Sequence, residues 1–403
     1  MNEGPPLHIA FFQFVVNYGG AVRSTVELGA RLRQAGVDVT MVDVYGACEP
    51  FRNAVQQAGL NYRVVLPTPK ARFIGGDNPI LRLWRMLWAV PHLQAVRRQL
   101  KALLLDINPS IVVCNHFKAA SLVALSPGLR HIPLIIYLRG WYRPDQLPTY
   151  GLWLCQRAHS LLALSRATKA ALMCSGIDHR KIHVLHNPID VDGFIARSDR
   201  PLSQPLPQVH RPIRLLLPGD IIASKGQHNG IEALRVVLDA GHDAVLWLAG
   251  AHSWAVGRNK TYLDRLMALA DRLGVRDRVE CLGLRDDIPQ VMAASTMVVF
   301  PSHTEGQGRV LLEAMSLAKP IVASAAGGIM DMICHGMTGL LCEIDDSEGL
   351  ARGILQYLND SALARRVGEL GQEYVRRSFT PAEQLRKAMS VFQQVAPHGP
   401  ESG

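Results

Sequence analysis

A chain of 403 residues with 48% hydrophobic content has room for two or three domains with ample cores and fits a globular enzyme. Its 43 Lys and Arg against 34 Asp and Glu leave +9, which favours an anionic partner such as nucleotide phosphates or an anionic membrane face. Nucleic acid is disfavoured, because no basic run with interleaved aromatics tracks a backbone, and seven cysteines without a Cys-x-x-Cys pair imply neither a disulfide framework nor a zinc site.

The opening residues lack a positive n-region, so a strand and not a signal peptide is expected there, in a reducing cytosol. No apolar run reaches about 18 residues, so no spanning helix is expected. Leu7 to Val16 reads as a buried strand, Asn17-Tyr18-Gly19-Gly20 as a glycine turn, and Ala21 to Gln34 as a helix. Strand, glycine turn and helix begin a doubly wound α/β domain. Val37 to Val44 is the next strand. The Gly-x-Gly-x-x-Gly fingerprint is absent, which disfavours a nicotinamide enzyme.

Residues 79–105 carry an aromatic and basic pattern. Ile80, Leu83, Trp84, Leu87 and Trp88 fall on one helical stripe flanked by Arg82 and Arg85, with Arg97, Arg98 and Lys101 beyond Pro91. Such a segment can lie in an anionic membrane interface, or it can pack its stripe on its own sheet.

Ile111 to Cys114 is a strand ending at Asn115-His116, and Leu134 to Leu138 one ending at Arg139-Gly140-Trp141. Parallel strands share a carboxyl edge, so both ends should open on one crevice. His116 is the titratable candidate there; a lone histidine at a strand end is as often structural or solvated. Leu161 to Ser165 and Ile182 to Leu185 complete the strands of this half. Asp190-Val191-Asp192 has the form of a metal-binding Asp-x-Asp, but Pro188 and Gly193 mark linker chemistry. No other His and carboxylate group has ligand spacing, so no catalytic metal is expected.

The Pro-rich stretch from Arg200 to Pro212 marks the domain boundary. The expected division is an N-terminal domain 1–195, a linker 196–212, a C-terminal domain 213–378, and a final helix with a mobile tail over 379–403. Ile213 to Leu217 is a strand ending at Pro218-Gly219-Asp220, with Lys225-Gly226 at the turn into a helix from His228 to Ala240. Ala244 to Ala249 is a strand, Lys260 to Leu273 a helix, and Val279 to Leu282 a strand running into Gly283-Leu284-Arg285. Asp286-Asp287 reads as cap and first-turn charge for a helix Ile288 to Ala294.

Met297 to Phe300 then forms a buried strand, Pro301 to Gln307 a glycine-containing loop, and Gly308 to Ala318 a helix with Val310, Leu311, Ala314 and Met315 at core spacing. Glycines let the backbone approach a ligand, and the helix start offers free amides as an anion site. Glu305 and Glu313 lie eight residues apart on this frame, able to accept hydrogen bonds from several hydroxyls while the helix start holds a phosphate. That combination suits a nucleotide sugar.

The glutamate, seven residues, glutamate spacing resembles that of retaining glycosyltransferases. Ala318-Lys319-Pro320-Ile321-Val322-Ala323-Ser324, Gly327-Gly328 and Gly336-Met337-Thr338-Gly339-Leu340-Leu341 extend the likeness. The chain resembles glycosyltransferase family 4 (glycosyl transferases group 1). That resemblance implies the GT-B fold: two Rossmann-like doubly wound parallel-sheet α/β domains facing across a cleft, with the final helix crossing back to the first.

The resemblance also implies site roles. Gly19 and Gly20 would form a loop near the donor phosphates and the acceptor. Leu284 and Arg285 would bracket the base. Gly306, Gly308, Arg309, Val310, Leu311 and Lys225 would line the donor diphosphate, Glu313 would hold ribose hydroxyls, and Glu305 would hold donor sugar hydroxyls. The family usually has a histidine where Arg139 stands and an arginine where Asp220 stands, so half of its phosphate clamp is replaced. Arg139 or Arg309 can supply the second positive charge, but an arginine cannot cycle a proton. Glu305, His116, Arg139 and Lys225 are thus the candidate catalytic residues.

The implied reaction is metal-independent, cofactor-free retaining transfer of a hexose from a nucleoside diphosphate sugar, UDP or GDP, to an acceptor hydroxyl. Acceptors would be saccharide or lipid-linked, in lipopolysaccharide, exopolysaccharide or glycolipid assembly, at a cytoplasmic site in peripheral contact with the inner membrane face. The rival readings are a nucleotide-sugar epimerase on the same frame, which would need an acid and base pair not evident here, and a non-catalytic nucleotide-sugar-binding protein.

Overall fold

The computed structural model describes residues 7–68, 79–141, 143–251 and 258–396. The chain divides into two compact units. One takes the chain up to Leu164, Thr168–Leu185 and the stretch from Gln384; the other takes Ser165–Ala167 and His186–Glu383.

The first unit is built on seven strands: β1 (His8–Gln13), β2 (Asp38–Asp43), β3 (Asn61–Val64), β4 (Ile111–Cys114), β5 (Leu134–Leu138), β6 (Ser160–Ala163) and β7 (Ile182–Val184). Their order is β3-β2-β1-β4-β5-β6-β7, and the pairings are parallel. β4, β5 and β6 are buried at every position, as strands covered on both faces must be. The helices of this part of the chain are α1 (Gly20–Gln34), α2 (Glu49–Gln57), α3 (Pro79–Ile107), α4 (Phe117–Ala124), α5 (Thr149–Arg157) and α6 (Arg166–Cys174). The order reverses at β1, which has β2 on one side and β4 on the other, so the open crevice lies beyond the carboxyl ends of β1 and β4.

The second unit opens with α7 (Val191–Ser198) and carries six strands: β8 (Ile213–Pro218), β9 (Ala244–Ala249), β10 (Val279–Gly283), β11 (Met297–Phe300), β12 (Ile321–Ser324) and β13 (Leu340–Cys342). Their order is β10-β9-β8-β11-β12-β13, again with parallel pairings. The reversal falls between β8 and β11, where Leu215 pairs with Met297. Its remaining helices are α8 (Gln227–Asp239), α9 (Arg258–Arg272), α10 (Ile288–Ala294), α11 (Arg309–Ser316), α12 (Ser347–Asn359) and α13 (Ser361–Ser378). The last helix, α14 (Pro381–Val395), belongs to the first unit from Gln384 on, where Ala388, Val391 and Phe392 are buried with Ile9, Phe11 and Leu28.

Three differences from the sequence reading have physical causes. Asp190-Val191-Asp192 opens a helix and not a linker: Asp190 caps α7 by accepting from Gly193 N at 3.1 Å, and Asp192 pairs with Arg376 at 2.7 Å. Residues 196–212 pack within the second unit, with Ser203 N on Asp287 Oδ2 at 2.8 Å, Gln208 Nε2 on the Asp277 carbonyl at 2.8 Å, and Leu206 buried. Proline stops regular structure without preventing such bonds. α2 and the edge strand β3 leave little trace in the sequence; β3 alternates exposed and half-buried residues and gives a weak apolar signal.

Pro91 is accommodated inside one continuous helix, α3. The stripe expected over Ile80, Leu83, Trp84, Leu87 and Trp88, with Arg82 and Arg85, lies outside the described side chains. Among the described residues no helix is long and apolar enough to cross a membrane.

Candidate active site

In the second unit the expected donor residues gather at the switch point. After β8 the chain passes Gly219, whose φ of 130° lies beyond ordinary side-chain residues, and then a 3-10 turn, Ala223–Lys225. Gly226 follows in the left-handed conformation at φ 66°. A Cβ there would stand 2.1 Å from the Pro301 carbonyl oxygen, so α8 starts hard against the loop after β11. His303 N donates to the Ser224 carbonyl at 2.9 Å across the same seam.

The loop is gripped from its other side by Gly328. Its N donates to the Glu305 carbonyl at 2.9 Å, and a Cβ on it would lie 2.0 Å from the Gly306 carbonyl oxygen. Gln307 is 1% exposed and reads the backbone of Asn187 in both directions, accepting from its N at 2.7 Å and donating to its carbonyl at 2.9 Å. Gly308, at φ 80°, is the N-cap of α11 and supplies no side-chain cap. The cap residue thus adds no side-chain bond to the first turn of α11, and the helix dipole there favours an anion.

Onto this fixed loop the fold brings Lys225 and Glu305. Lys225 Nζ lies 2.5 Å from Glu305 Oε2, with the two side chains 22% and 17% exposed. The lysine also stands over the Phe300 ring at 5.4 Å. A hydrogen-bonded ion pair this shielded is stronger than a surface pair and holds both groups in place. Glu305 Cγ would be 3.2 Å from a Cβ on Gly308, so the carboxylate stem passes beside the start of α11. Glu313 lies half-buried on that helix, and Asp220 is exposed before the 3-10 turn.

Two expected donor residues do not fit the role given them. Leu311 is fully buried in the core, and its amide is spent on the Gly308 carbonyl at 2.8 Å, so neither part can meet a ligand. Arg285 is 7% exposed, and its guanidinium grips both oxygens of Asp287 at 2.7 Å and the Gln204 carbonyl at 2.8 Å. It holds residues 203–204 to the sheet edge and is not available to a base. Asp287 correspondingly makes no side-chain cap for α10, contrary to the sequence reading. Leu284 beside it is 78% exposed.

In the first unit Gly19 and Gly20 are exposed at the start of α1. Gly19 is its N-cap without a side-chain cap, and a Cβ on Gly20 would meet nothing within 4 Å. Arg139, after β5, stacks its guanidinium 3.6 Å from the Tyr137 ring centroid and donates to Ser24 Oγ at 2.9 Å, Thr25 Oγ1 at 2.8 Å and Asn115 Oδ1 at 3.4 Å. Asn115 in turn donates to Gln13 Oε1 at 2.9 Å and Thr25 Oγ1 at 2.8 Å. The arginine is thus the centre of a polar network at the carboxyl ends of β1, β4 and β5. The sequence points to Arg139 and His116 but not to Gln13, the polar end of the apolar strand β1, nor to Ser24 and Thr25, which lie inside α1 and carry no spacing signal.

His116 caps α4. Its Nδ1 lies 3.2 Å from Ala119 N and its Nε2 3.3 Å from Phe14 N. A neutral imidazole has one acceptor nitrogen, so only one of these can be a hydrogen bond at a time. Burial pushes its pKa below the ordinary histidine range, so the ring is neutral at pH 7.

Two doubly wound parallel-sheet units in one chain, the second with a lysine and a glutamate at an uncapped helix start, define the GT-B class of fold. Solved structures agree: the Anabaena protein HepE in complex with UDP has a TM-score of 0.76 at 22% identity, covering 96% of this chain and all of that one. A glycosyltransferase from Rickettsia africae has a TM-score of 0.76 at 18% identity over 98% of this chain and all of that one.

Residues 18–192 match the model of Glycosyltransferase Family 4, and residues 200–374 match that of Glycosyl transferases group 1. The chain belongs to glycosyltransferase family 4. Similar curated proteins include the N-acetyl-alpha-D-glucosaminyl L-malate synthase of Bacillus anthracis, 35% identical over 32% of this chain and 34% of that protein. The lipopolysaccharide core biosynthesis glycosyltransferase of Rhizobium meliloti is 31% identical over 50% of this chain and 54% of its own. The chain therefore spans about a third to a half of the length of these curated relatives.

Proposed function

We infer that the protein transfers a hexose from a nucleoside diphosphate sugar to an acceptor hydroxyl with retention at the anomeric carbon, and that no metal takes part in the transfer. The observation that carries this reading is the Lys225–Glu305 pair, 2.5 Å apart and beside the uncapped start of α11, in a family 4 glycosyltransferase.

A leaving diphosphate needs its charge neutralised. Amides at Gly308, Arg309 and Val310 and the Lys225 ammonium supply this. Binding of the diphosphate draws Lys225 towards phosphate and leaves the Glu305 carboxylate to accept from donor sugar hydroxyls. Glu313, further along the same helix, takes ribose hydroxyls, and the exposed Leu284 covers the base. Gly19 and Gly20 leave the start of α1 open for an acceptor to approach its backbone. Arg139 works through Ser24, Thr25 and Asn115, fixing the edge on which the acceptor rests. His116, neutral at that edge, turns its ring nitrogens to the backbone amides of Ala119 and Phe14 and fixes the start of α4 there. Departure and attack occur on one face, with the leaving phosphate oxygen taking the acceptor proton.

UDP or GDP sugars are the expected donors; the HepE neighbour was solved with UDP and with UDP-glucose. The Rhizobium relatives are named for lipopolysaccharide core biosynthesis, so a lipid-linked or polysaccharide acceptor at the cytoplasmic membrane face is the proposed setting. The test is release of free nucleoside diphosphate from UDP- or GDP-sugars by the purified chain. Slow release, accelerated by acceptor and abolished in Glu305→Ala, supports the transferase. Tight donor binding with no turnover in the presence of lipopolysaccharide or glycolipid acceptors would make it a binding protein.

A further inference from the structure

Sequence spacing showed no His and carboxylate group fit for a metal, yet the fold assembles one from three distant places. His228 in the first turn of α8, His303 on the loop after β11 and Asp345 after β13 each bring a ligand atom to within 4.8 Å of the others. Asp345 Oδ1 stands 3.2 Å from His228 Nε2 and 3.4 Å from His303 Nε2. Zinc bonds of about 2.0–2.1 Å at tetrahedral angles place neighbouring ligand atoms about 3.3 Å apart. The two separations already match that edge.

The surroundings suit a cation better than a set of hydrogen bonds. Asn229 Nδ2 also donates to Asp345 Oδ1, at 3.1 Å. The same Asn229 Nδ2 lies 3.5 Å from His303 Nε2, so that nitrogen faces it as an acceptor, with its lone pair on the side of the cluster. A cation between the imidazoles and Oδ1 takes one lone pair from each ligand atom and leaves the other lone pair of Oδ1 to Asn229. His228 Nδ1 lies 3.1 Å from the Tyr262 hydroxyl, the kind of outer partner that fixes the tautomer and aim of a metal-bound imidazole. The histidine side chains are 29% and 28% exposed and that of Asp345 63%, so the cluster is open to solvent for entry and for a water ligand.

The geometry points to a binding site for a borderline-soft divalent cation of the zinc class, held by His228 Nε2, His303 Nε2 and Asp345 Oδ1, with water in the fourth position. Two imidazoles select zinc, cobalt or nickel over magnesium and calcium, which require oxygen ligands. His303 is two residues from Glu305, and His228 three from Lys225. The bound ion therefore fastens the Glu305 loop to the start of α8 and the turn after β13. It lies outside the transfer step, and the site does not depend on the proposed reaction.

The test uses the full chain stripped with chelator and titrated with Co2+, then Zn2+. One Co2+ per chain is expected, with the visible absorption of low-symmetry four-coordinate cobalt, displaced by Zn2+ and not by Mg2+. Zn2+ should raise the unfolding temperature of the parent chain. His303→Ala and Asp345→Asn should each weaken binding at least about 10-fold and lose that rise. Unfolding temperatures in chelator, together with the milder His303→Gln, separate lost binding from lost fold. Absence of saturable binding below about 1 mM overturns the site. So does binding that survives a His228→Ala/His303→Ala double substitution, as it would if the exposed Cys174, Cys281 or Cys334 held the ion.

Discussion

Lys225 and Glu305, 80 positions apart in the chain, meet at 2.5 Å beyond the carboxyl ends of the adjacent strands β8 and β11. Each therefore sets the resting position of the other. Removing either leaves a partly shielded charge without its partner, and also removes a contact to donor. Lys225→Met and Glu305→Gln should each lower kcat for nucleoside diphosphate release by about 10²–10³. The double variant should fall well short of the product of the two losses, because the first substitution already breaks the pair. Steady-state kinetics on the four proteins measures this. Strictly multiplicative losses would mean that the pair is not a working unit.

The loop that carries Glu305 is held by close backbone approach on two sides. Gly328→Ala places a methyl 2.0 Å from the Gly306 carbonyl oxygen, and Gly226→Ala places one 2.1 Å from that of Pro301. A backbone carbonyl cannot swing aside as a long side chain can. Each substitution should cost about 1–3 kcal/mol of stability and displace the loop, raising KM for the donor. Gly226→Ala adds the strain of φ 66°. Urea unfolding and donor titration on the same preparations read both effects.

Much of this arrangement was legible in the sequence because it is local. The apolar run Met297–Phe300, the glycines after it and the amphipathic start of α11 lie within one stretch, and their spacing alone gives strand, loop and helix. The buried strands β4 and β5 were legible for the same reason. What stayed hidden depends on tertiary partners. Arg285 sits where the family brackets its base, but only the fold shows that Asp287 and Gln204 consume its guanidinium. Leu311 has core spacing and donor-loop position at once, and burial decides between them. His228, His303 and Asp345 lie up to 117 residues apart, so no spacing rule could unite them.

Gly20 separates ligand contact from folding. Nothing stands within 4 Å of a Cβ added there, and alanine suits the first turn of α1 better than glycine. Gly20→Ala should leave the unfolding temperature unchanged or slightly raised. If donor phosphate or acceptor approaches this backbone, the same variant should lose kcat/KM about 10-fold or more, since misplacing a reactant by about 1 Å can cost about 10² in rate. Unchanged kinetics would remove Gly19 and Gly20 from the site.

Arg139 makes the opposite prediction, since its donors are already engaged. Arg139→Met leaves Ser24 Oγ and Asn115 Oδ1 without this charged donor. It should destabilise the protein by about 1–3 kcal/mol. Arg139→Lys should recover little, because an ammonium cannot span partners set for a planar fork and cannot stack on Tyr137 in the same way. A lysine variant with full stability and full activity would show that only the charge matters.

The Arg285–Asp287 pair gives the pH test. Burial pushes the Asp287 carboxyl up, but the Arg285 guanidinium and the Ser203 N–H outweigh it and hold the pKa at about 2. An aspartate in the unfolded chain titrates near 3.9. A group whose folded pKa is depressed contributes stability that is fully present above the unfolded pKa and is lost as pH falls through the folded one. The contribution of Asp287 should therefore be constant at neutral pH and disappear between about pH 4 and pH 2. Asp287→Asn removes the charge at every pH and leaves Arg285, 7% exposed, without its counter-ion. At pH 7 that should cost about 3–5 kcal/mol. Below about pH 3 the gap between the parent chain and the variant should narrow, because protonation makes aspartate resemble asparagine. Urea unfolding followed at pH 7, 4 and 2.5 measures it; a gap that stays constant across that range would show that the carboxylate charge is not what holds residues 203–204 to the sheet.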